Sequence, residues 1–194
     1  MPLNIVNVGY DSTNYYVIAD TIPRLLVDVG WPGTLPKLRR ACERMGVSLP
    51  YIKHLLVTHY HPDHAGLVQE LKRTGTKLIV ADTQVAAIPI LRTYMKPQHN
   101  YVDIDPGGNI VLALEESRAF LATIGIRGEI ISTPGHSDDS ITLVLDDGAA
   151  FTGDLTPLMA APEDKESAIR DSWDKIRALG AKTIYPGHGP VGYI

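Results

Sequence analysis

The sequence predicts an α+β fold in which two β-sheets pack together and helices cover them. The first thirty residues contain three candidate strands and no helix, and a mixture of strands and helices follows. Several consecutive strands in each half of the chain are joined by hairpin-like steps. A doubly wound sheet would instead alternate strand and helix regularly. The pattern therefore favours two packed sheets over a single parallel sheet.

Length and composition suit an enzyme-sized domain. The 194 residues fit one domain of ordinary size, or at most two small ones, and we take positions 1–194 as one domain. Prolines and glycines are scattered along the chain and form no linker. The formal net charge is −4, and no run of five or six like charges occurs. A broad phosphate-binding surface is therefore not expected, and neither is a nucleic acid partner.

The single cysteine and the N-terminal stretch indicate the compartment. Cys42 is the only cysteine, which excludes a disulfide framework within the chain and suits a reducing cytoplasm. The stretch MPLNIVNVGYD has no basic segment and no long apolar run, so neither a signal peptide nor a membrane span is expected. We therefore expect a cytoplasmic protein that does not bind membranes.

Three strands and a helix are predicted before the first histidine-rich motif. The strands cover residues 3–8, 14–19 and 24–29, and turn-forming residues separate them. A helix is predicted over residues 33–45, with Leu38 and Cys42 on its apolar face. Gly46 gives this helix its stop signal.

The middle of the chain is predicted to alternate between strand and helix before its pattern becomes irregular. A strand at 54–57 leads into the histidine-rich motif, a helix is predicted at 64–74, and a buried strand at 77–81 follows. The stretch 82–108 starts with a helical pattern, but Pro89 interrupts it and the remainder resembles a loop. We assign no element to it.

The second half is predicted to contain four strands and two helices. The helices cover 113–125 and 163–180, and the second has the clearest apolar periodicity of the chain. The strands are predicted at 129–133, 140–145, 149–152 and 182–186.

Histidine is concentrated where predicted strands end. Five of the seven histidines fall in three short motifs: THYHPDH (58–64), TPGHS (133–137) and PGHGP (186–190). Asp63 lies inside the first motif, and Asp154 ends FTGD (151–154) directly after another strand. A glycine precedes His136, Asp154 and His188, which lets the backbone turn sharply or lets a bulky group approach.

These residue types at these spacings indicate a metal site. Neutral imidazole and carboxylate are ligands of zinc, and also of iron or manganese. The spacing i, i+2, i+4, i+5 in the first motif cannot converge on one point from a helix, but an irregular loop containing Pro62 could do so. Seven candidate ligands exceed the needs of one tetrahedral ion and suit two ions that share a carboxylate. Taken singly, each histidine could equally be an ordinary surface or core residue.

In the order THYHPDH, TPGHS, FTGD and PGHGP, the four motifs resemble the metal-binding motifs of the metallo-β-lactamase fold superfamily, of which glyoxalase II is a member. The resemblance covers nearly the whole chain. It implies an αββα sandwich of two mixed β-sheets flanked by helices, with the metals at one edge between the sheets.

The resemblance also implies a role for each motif residue. His59, His61 and His136 would hold the first metal, and Asp63, His64 and His188 the second, with Asp154 bridging the two. Asp28, in VDVG, matches an aspartate that supports the site in many members of the superfamily. A simple turn residue is the alternative for Asp28.

The expected chemistry is metal-dependent hydrolysis. Two divalent ions, zinc first and iron or manganese as alternatives, would favour a bridging hydroxide as nucleophile. This hydroxide would cleave a thioester, a lactone or another ester or amide bond of a small molecule. Asp63 could also pass a proton to the leaving group. No serine or cysteine nucleophile is needed, and Cys42 is expected in the core.

Other functions of the same fold stay open. The chain ends six residues after His188, so we expect a small single-domain hydrolase without the C-terminal extension of glyoxalase II. A sulfur dioxygenase with a single iron is the main alternative, and a non-catalytic binding protein is another.

The substrate pocket is expected to involve the unassigned segment. Tyr94 and His99, in the stretch 84–105, could lie over the metals as a lid, and Tyr60 could point into the cleft. Alternatively, the segment packs as a surface helix or forms a homodimer contact.

Overall fold

A computed structural model describes residues 3–194 and contains two β-sheets, one of six strands and one of five. Both sheets combine parallel and antiparallel neighbours. Helices flank them, so the predicted α+β sandwich of two mixed sheets is confirmed. Met1 and Pro2, the first residues of the stretch in which no signal peptide was predicted, lie outside the described residues.

The six-stranded sheet keeps its strands in chain order. Its first three strands are antiparallel, and the third to sixth run parallel to one another. The strands are β1 (Asn4–Asn7), β2 (Tyr16–Ala19), β3 (Pro23–Val27), β4 (His54–Leu56), β5 (Lys77–Ala81) and β6 (Ile110–Leu112).

The five-stranded sheet is mostly antiparallel. Its strands are β7 (Gly128–Ser132), β8 (Ile141–Leu145), β9 (Ala149–Gly153), β10 (Thr183–Pro186) and β11 (Gly192–Tyr193), in the order β11-β10-β9-β8-β7. Only β9 and β10 are parallel, because a helical crossover joins them whereas hairpin steps join the others.

Five α-helices accompany the sheets in the described part of the chain. They are α1 (Leu35–Arg44), α2 (Pro62–Ala65), α3 (Val68–Arg73), α4 (Ser117–Thr123) and α5 (Glu166–Ala178). Within residues 3–194, no helix has the length and apolar character needed to cross a membrane.

The continuous helix predicted over 64–74 is wrong, because the chain breaks between α2 and α3. The carbonyl oxygen of His64 accepts a hydrogen bond from the backbone N–H of Val29 (2.9 Å), which lies in another part of the chain. Gly66 also packs tightly, since a Cβ there would lie 2.5 Å from Pro32 Cδ. Contacts with the loop after β3 therefore end the first helix after one turn.

The segment 82–108 consists of short 3₁₀ turns and loops. The turns cover Asp82–Gln84, Ile88–Tyr94 and Pro97–His99, and Pro89 is tolerated because it lies in the first turn of its helix. Strand β6, which follows the segment, was not predicted. It has three residues and leaves Val111 more than half exposed at the sheet edge. Its apolar pattern is therefore too short to be recognised as a strand in the sequence.

Three apolar clusters stabilise the layers. The inter-sheet cluster brings Ile18 and Val27 of the six-stranded sheet against Leu143 and Phe151 of the five-stranded sheet, and Leu121 of α4 joins it. The outer face of the six-stranded sheet is covered by α1 and α3, where Cys42 is fully buried, as predicted. The outer face of the five-stranded sheet is covered by α5, through Ile169, Trp173 and Ile176.

Truncating the centre of the inter-sheet cluster tests this packing. Phe151 is fully buried, so Phe151→Ala should lower the free energy of unfolding by about 3–5 kcal/mol through lost burial and a residual cavity. Denaturant unfolding followed by circular dichroism measures the change. Met159→Ala is the control, since Met159 is 97% exposed and its truncation should change stability by no more than about 0.5 kcal/mol.

Candidate metal centre

Loops from both sheets bring the motif residues together at one edge of the sandwich. His59 and His61 follow β4, Asp63 and His64 lie in α2, and the remaining three residues follow β7, β9 and β10. Their ligand atoms form three overlapping groups in which all atoms lie within 4.8 Å of one another. The first group is His59, His61 and His136, and the second group is Asp63, His64 and His188. The remaining group, His59, His64 and Asp154, shares one histidine with each of these two.

The first group consists of three imidazoles that face one another. His136 Nε2 lies 3.0 Å from His61 Nδ1, and the ring of His59 lies edge-on to both, with centroid distances of 4.6 and 4.8 Å. Two ligand atoms at about 2.1 Å from a tetrahedral ion lie roughly 3.4 Å apart. The spacing of these nitrogens is therefore that of ligands converging on one cation.

The second group mixes imidazole and carboxylate. Asp63 Oδ2 lies 3.1 Å from His188 Nε2 and 3.7 Å from His64 Nε2. Thr13 Oγ1 donates a hydrogen bond to the same oxygen (3.2 Å). This hydrogen bond links the turn before β2 to the histidine-rich loop.

Asp154 lies between the two groups. Its Oδ2 is 3.7 Å from His136 Nε2, in the first group, and 3.4 Å from His188 Nε2, in the second. Its Oδ1 is 3.3 Å from His64 Nε2. One carboxylate thus approaches ligand atoms of both groups.

Buried polar atoms without partners show that the site fits a cation. In residues 3–194, His59 Nε2, His64 Nε2 and Asp154 Oδ1 are buried and make no hydrogen bond. An unsatisfied buried polar atom costs about 1–3 kcal/mol, and all three atoms belong to one group of potential ligands. Imidazole nitrogen and carboxylate oxygen are the donors that zinc, iron and manganese accept, so a divalent metal would satisfy them.

A network behind the ligands fixes the tautomers of two histidines. Thr58 Oγ1 donates to Asp28 Oδ2 (2.8 Å) and so accepts from His59 Nδ1 (3.1 Å). His64 Nδ1 donates to the same Asp28 oxygen (2.9 Å). Both rings therefore hold a proton on Nδ1, and Nε2 is the atom that faces the ligand cluster. Such partners orient metal-binding histidines and increase their basicity.

His188 is oriented by the backbone of a distant turn. Its Nδ1 donates to the carbonyl oxygen of Ser12 (2.6 Å), which directs Nε2 toward Asp63 and Asp154. Asn14 ties the same regions together, because its side-chain amide donates to the carbonyl oxygens of Pro186 and Gly189.

Asp28 carries more contacts than a turn residue needs. It is 2% exposed and has a left-handed backbone with φ of 62°, a conformation that is uncommon outside glycine. Its Oδ1 also accepts from the backbone N–H of Thr58 (2.7 Å). The carboxylate therefore holds the start of the histidine-rich loop and one buried imidazole at once.

Burial and charge shift the pKa values of the two buried histidines in opposite directions. Burial, together with the neighbouring histidines, lowers the pKa of His59 well below its usual value. Burial also lowers the pKa of His64, but the Asp28 and Asp154 carboxylates outweigh this and raise it to about 10. Burial raises the pKa of Asp154, yet its contact with His64 produces a net lowering. In the chain alone, His59 is therefore neutral, and the two carboxylates favour the protonated form of His64.

Two glycines give the ligands room. Gly153 has φ of 53°, and a Cβ there would lie 2.4 Å from Thr58 Oγ1. A Cβ at Gly187 would lie 2.4 Å from Asp154 Oδ1 and 2.5 Å from His64 Cε1. Both positions exclude any side chain, which accounts for the glycines that precede Asp154 and His188.

A cavity of about 420 Å³ opens beside the first group and is lined in part by His61, His136 and Tyr94. The ring of Tyr94 is about half exposed and lies 5.1 Å from that of His61. Tyr60 also lines the cavity, but its hydroxyl is buried without a partner. Two of the three predicted pocket residues are therefore found at the cavity wall.

His99 is not brought to this cavity. Its ring packs edge-on against Trp31 at 5.1 Å, and its Nδ1 accepts a hydrogen bond from the backbone N–H of Lys96. The 3₁₀ turn Pro97–His99 and the left-handed Asn100 hold it in this position. His99 therefore does not line this cavity, and its place in a substrate pocket stays a prediction.

Gln84 is a site residue that sequence reasoning missed. It is fully buried, and its Nε2 donates to the carbonyl oxygens of Val57 (3.0 Å), Thr58 (3.3 Å) and Asp139 (3.1 Å). One amide thus joins the loop before His59 to the loop after His136. No pattern singled it out, because it lies in the segment left unassigned.

Comparisons with known proteins agree on one family. The family model described as the metallo-beta-lactamase superfamily matches residues 8–188. Hydroxyacylglutathione hydrolase of Cereibacter sphaeroides is 30% identical over 187 residues, which cover 93% of this chain and 63% of that protein. Atrochrysone carboxyl ACP thioesterase of Aspergillus fumigatus is 30% identical over 188 residues, which cover 93% of this chain and 51% of that protein.

A solved structure shows the same fold. A metallo-beta-lactamase family protein of Thermus thermophilus superposes with a TM-score of 0.72 at 21% identity, covering 97% of this chain and 74% of that one. The first curated relatives are longer, since the chain spans only 50 to 59% of their length.

Removing the Asp28 carboxylate tests the network behind the ligands. Asp28→Asn should weaken metal binding by about 10- to 100-fold. His64 loses its charged hydrogen-bond acceptor, and Thr58 loses one of the two carboxylate oxygens to which it donates. Competition with a chromophoric zinc chelator measures the affinity. Asp11→Asn is the matched control, because Asp11 also has a positive φ but lies at the surface. Equal affinities for the two variants would contradict the role of Asp28.

Adding a methyl group at Gly187 tests the close packing behind Asp154. Gly187→Ala should displace Asp154 or His64 and reduce the number of ions retained per chain. Gly192→Ala should have no effect, since a Cβ there meets nothing within 4 Å. Elemental analysis after dialysis, with circular dichroism as a check on folding, compares the two. Full retention of metal by the Gly187 variant would show that the cluster tolerates the shift.

Proposed function

The chain belongs to the metallo-beta-lactamase superfamily, and from this premise we propose that it is a hydrolase with a dinuclear metal centre. Its substrate is a small molecule with a thioester, lactone or other ester or amide bond. Because the chain spans little more than half of its first curated relatives, their activities support this function only as analogies.

The position of Asp154 is the observation that carries the dinuclear proposal. Its two oxygens lie 3.3–3.7 Å from nitrogens of both ligand groups, as a carboxylate shared by two ions requires. His59, His61 and His136 would hold one ion, and Asp63, His64 and His188 the other. Zinc suits this nitrogen-rich set, and iron or manganese would also be accepted.

Bound at these residues, divalent ions would supply a water of near-neutral pKa and a Lewis acid for the acyl carbonyl. Residues of the chain orient the metal-binding atoms and exclude water from them. His59 and His64 are held with Nε2 toward the centre, and burial excludes bulk water from both imidazoles. His61 and His136 lie at the wall of the open cavity, so the substrate can reach the centre from that side.

Asp63 is suited to carry a proton. Its carboxylate is partly exposed, and the hydrogen bond and close contacts described above all involve Oδ2. We propose that Oδ1 accepts the proton that the attacking water gives up and passes it to the leaving group when the acyl bond breaks. A general acid of this kind contributes about 10²- to 10⁴-fold to the rate.

The names of the relatives favour acyl transfer to water. One is a thioesterase and another a hydrolase of hydroxyacylglutathione, so a thioester is the first bond to test here. We propose no nucleic acid or membrane partner, and sedimentation at several protein concentrations tests whether the protein forms a homodimer. The buried thiol of Cys42 supports the cytoplasm as compartment.

A mononuclear iron sulfur dioxygenase of the same fold is the second candidate. It would need only one ion, held by the first ligand group. The complete second group, with Asp63 Oδ2 and His188 Nε2 at 3.1 Å, supports hydrolysis instead. Oxygen consumption by iron-loaded protein, measured beside hydrolysis by zinc-loaded protein, distinguishes the two.

Metal content tests the dinuclear centre directly. Protein purified without chelator should contain about two divalent ions per chain, and His188→Ala should reduce this to about one. Mass spectrometry of the native protein and elemental analysis give the number. A single ion in the unmodified protein, under zinc, iron and manganese loading alike, would contradict the shared carboxylate.

Substitution of Asp63 tests its role in turnover. Asp63→Asn should lower kcat by about 10²- to 10⁴-fold while circular dichroism stays unchanged. Asp171→Asn, on the exposed side of α5, is the control and should keep the original rate. Near-normal kinetics of the Asp63 variant would exclude this residue as ligand and as proton carrier.

A further inference from the structure

We propose that an apolar groove beside His188 binds the acyl chain of the substrate, and that the protein therefore prefers acyl thioesters with an apolar chain of several carbons. This inference rests on the proposed hydrolase function and adds the substrate class and its direction of binding. Water is added across the C–S bond, so the products are a carboxylate, a thiol and a proton.

The groove lies between the chain after β9, helix α5 and the end of the chain after β10. Its volume is about 480 Å³, within the range of small-molecule sites. Its lining includes Leu155, Leu158, Met159, Trp173, Pro190 and Tyr193, together with His188 at one side. Because His188 belongs to the second ligand group and also lines the groove, the groove adjoins the proposed metal centre at this residue.

The lining of the groove favours an apolar ligand. Among the side chains of the described residues that line it, only that of Arg177 carries a permanent charge, and its Nη1 pairs with Asp174 Oδ1 at 3.1 Å. Trp173 Nε1 already donates to the carbonyl oxygen of Thr156 (2.8 Å). The groove therefore offers apolar surface and few free hydrogen-bonding groups.

Large apolar side chains at the groove are exposed to solvent. Met159 is 97% exposed and Tyr193 82%, and both lie in the lining. Exposed apolar groups gathered around a groove mark a binding surface more often than isolated ones do. An acyl chain held there would cover them.

The cavity beside the first ligand group is more polar than the groove, although Ala86, Ala87 and Ile90 also line it. It contains His61 and His136 of the first group and is lined by Ser137, Asp138 and Lys165 as well. In residues 3–194, Lys165 Nζ makes no ion pair within 4.0 Å. A polar or charged thiol carrier fits this cavity, and the acyl chain fits the groove. The polarity of the two spaces thus fixes the orientation of the substrate.

A chain-length series tests the proposal. Acyl esters of one thiol, from two to eight acyl carbons, are hydrolysed by the zinc-loaded protein. Each methylene buried in the groove should raise kcat/KM by about two- to fourfold until the groove is filled. Met159→Glu and Leu158→Asn should flatten this dependence, because they bring polar groups into the lining. Ile22→Glu, a half-exposed apolar residue away from the groove, is the matched control and should preserve it.

A binding measurement tests the groove without catalysis. The chain has two tryptophans, so Trp31→Phe leaves Trp173, in the groove wall, as the only one. The probe 8-bromooctanoate should quench the fluorescence of Trp173, because bromine quenches on contact, and octanoate should not. Met159→Glu in the Trp31→Phe protein should raise the probe concentration needed for half-maximal quenching by about tenfold.

The two measurements separate the possible failures. Hydrolysis that is independent of chain length, without quenching, would overturn the groove and leave the proposed function standing. Quenching without hydrolysis of any thioester, lactone or amide would overturn the function and keep an apolar binding site. A concentration-dependent dimer that Met159→Glu dissociates, as seen by sedimentation, would show that a second copy covers this face and would overturn the acyl assignment.

Discussion

The structure depends on one constraint: imidazoles and carboxylates are buried together at a single edge of the sandwich and leave their coordinating atoms unsatisfied. Within the described chain, His59 Nε2, His64 Nε2 and Asp154 Oδ1 are buried members of this cluster that make no hydrogen bond, although the last two lie 3.3 Å apart. Such an arrangement is unfavourable in water-free surroundings unless a cation is bound. Metal binding and the stability of this edge are therefore coupled.

The residues behind the cluster keep it in this unfavourable arrangement. Asp28 adopts a left-handed backbone and holds Thr58 and His64 at once, and Gln84 joins two ligand loops through three carbonyl oxygens. A strained backbone such as that of Asp28 persists only where many surrounding contacts hold it in place. The ligands are thus pre-organised by the fold, and an ion needs little rearrangement to bind.

The surroundings of the two ligand groups differ in polarity. Polar residues of the cavity, Lys165 among them, surround the first group, and the groove beside His188 is apolar. His61 and His136 line the cavity and His188 lines the groove, so each ligand group has a space of its own beside it. This difference turns a nearly symmetric set of ligands into a directional site, in which acyl chain and leaving group have separate places.

The sequence by itself determined the layers and the candidate ligands. Strand patterns depend on local alternation of side chains, and the ligand motifs combine residue types that few other roles require. Tertiary structure decided what long-range contacts control. The hydrogen bond from Val29 to the His64 carbonyl divided one predicted helix in two, a turn directed His99 toward Trp31, and Gln84 acquired its role through carbonyl groups distant in the chain. Backbone partners and burial at such distances leave no local signal in the sequence.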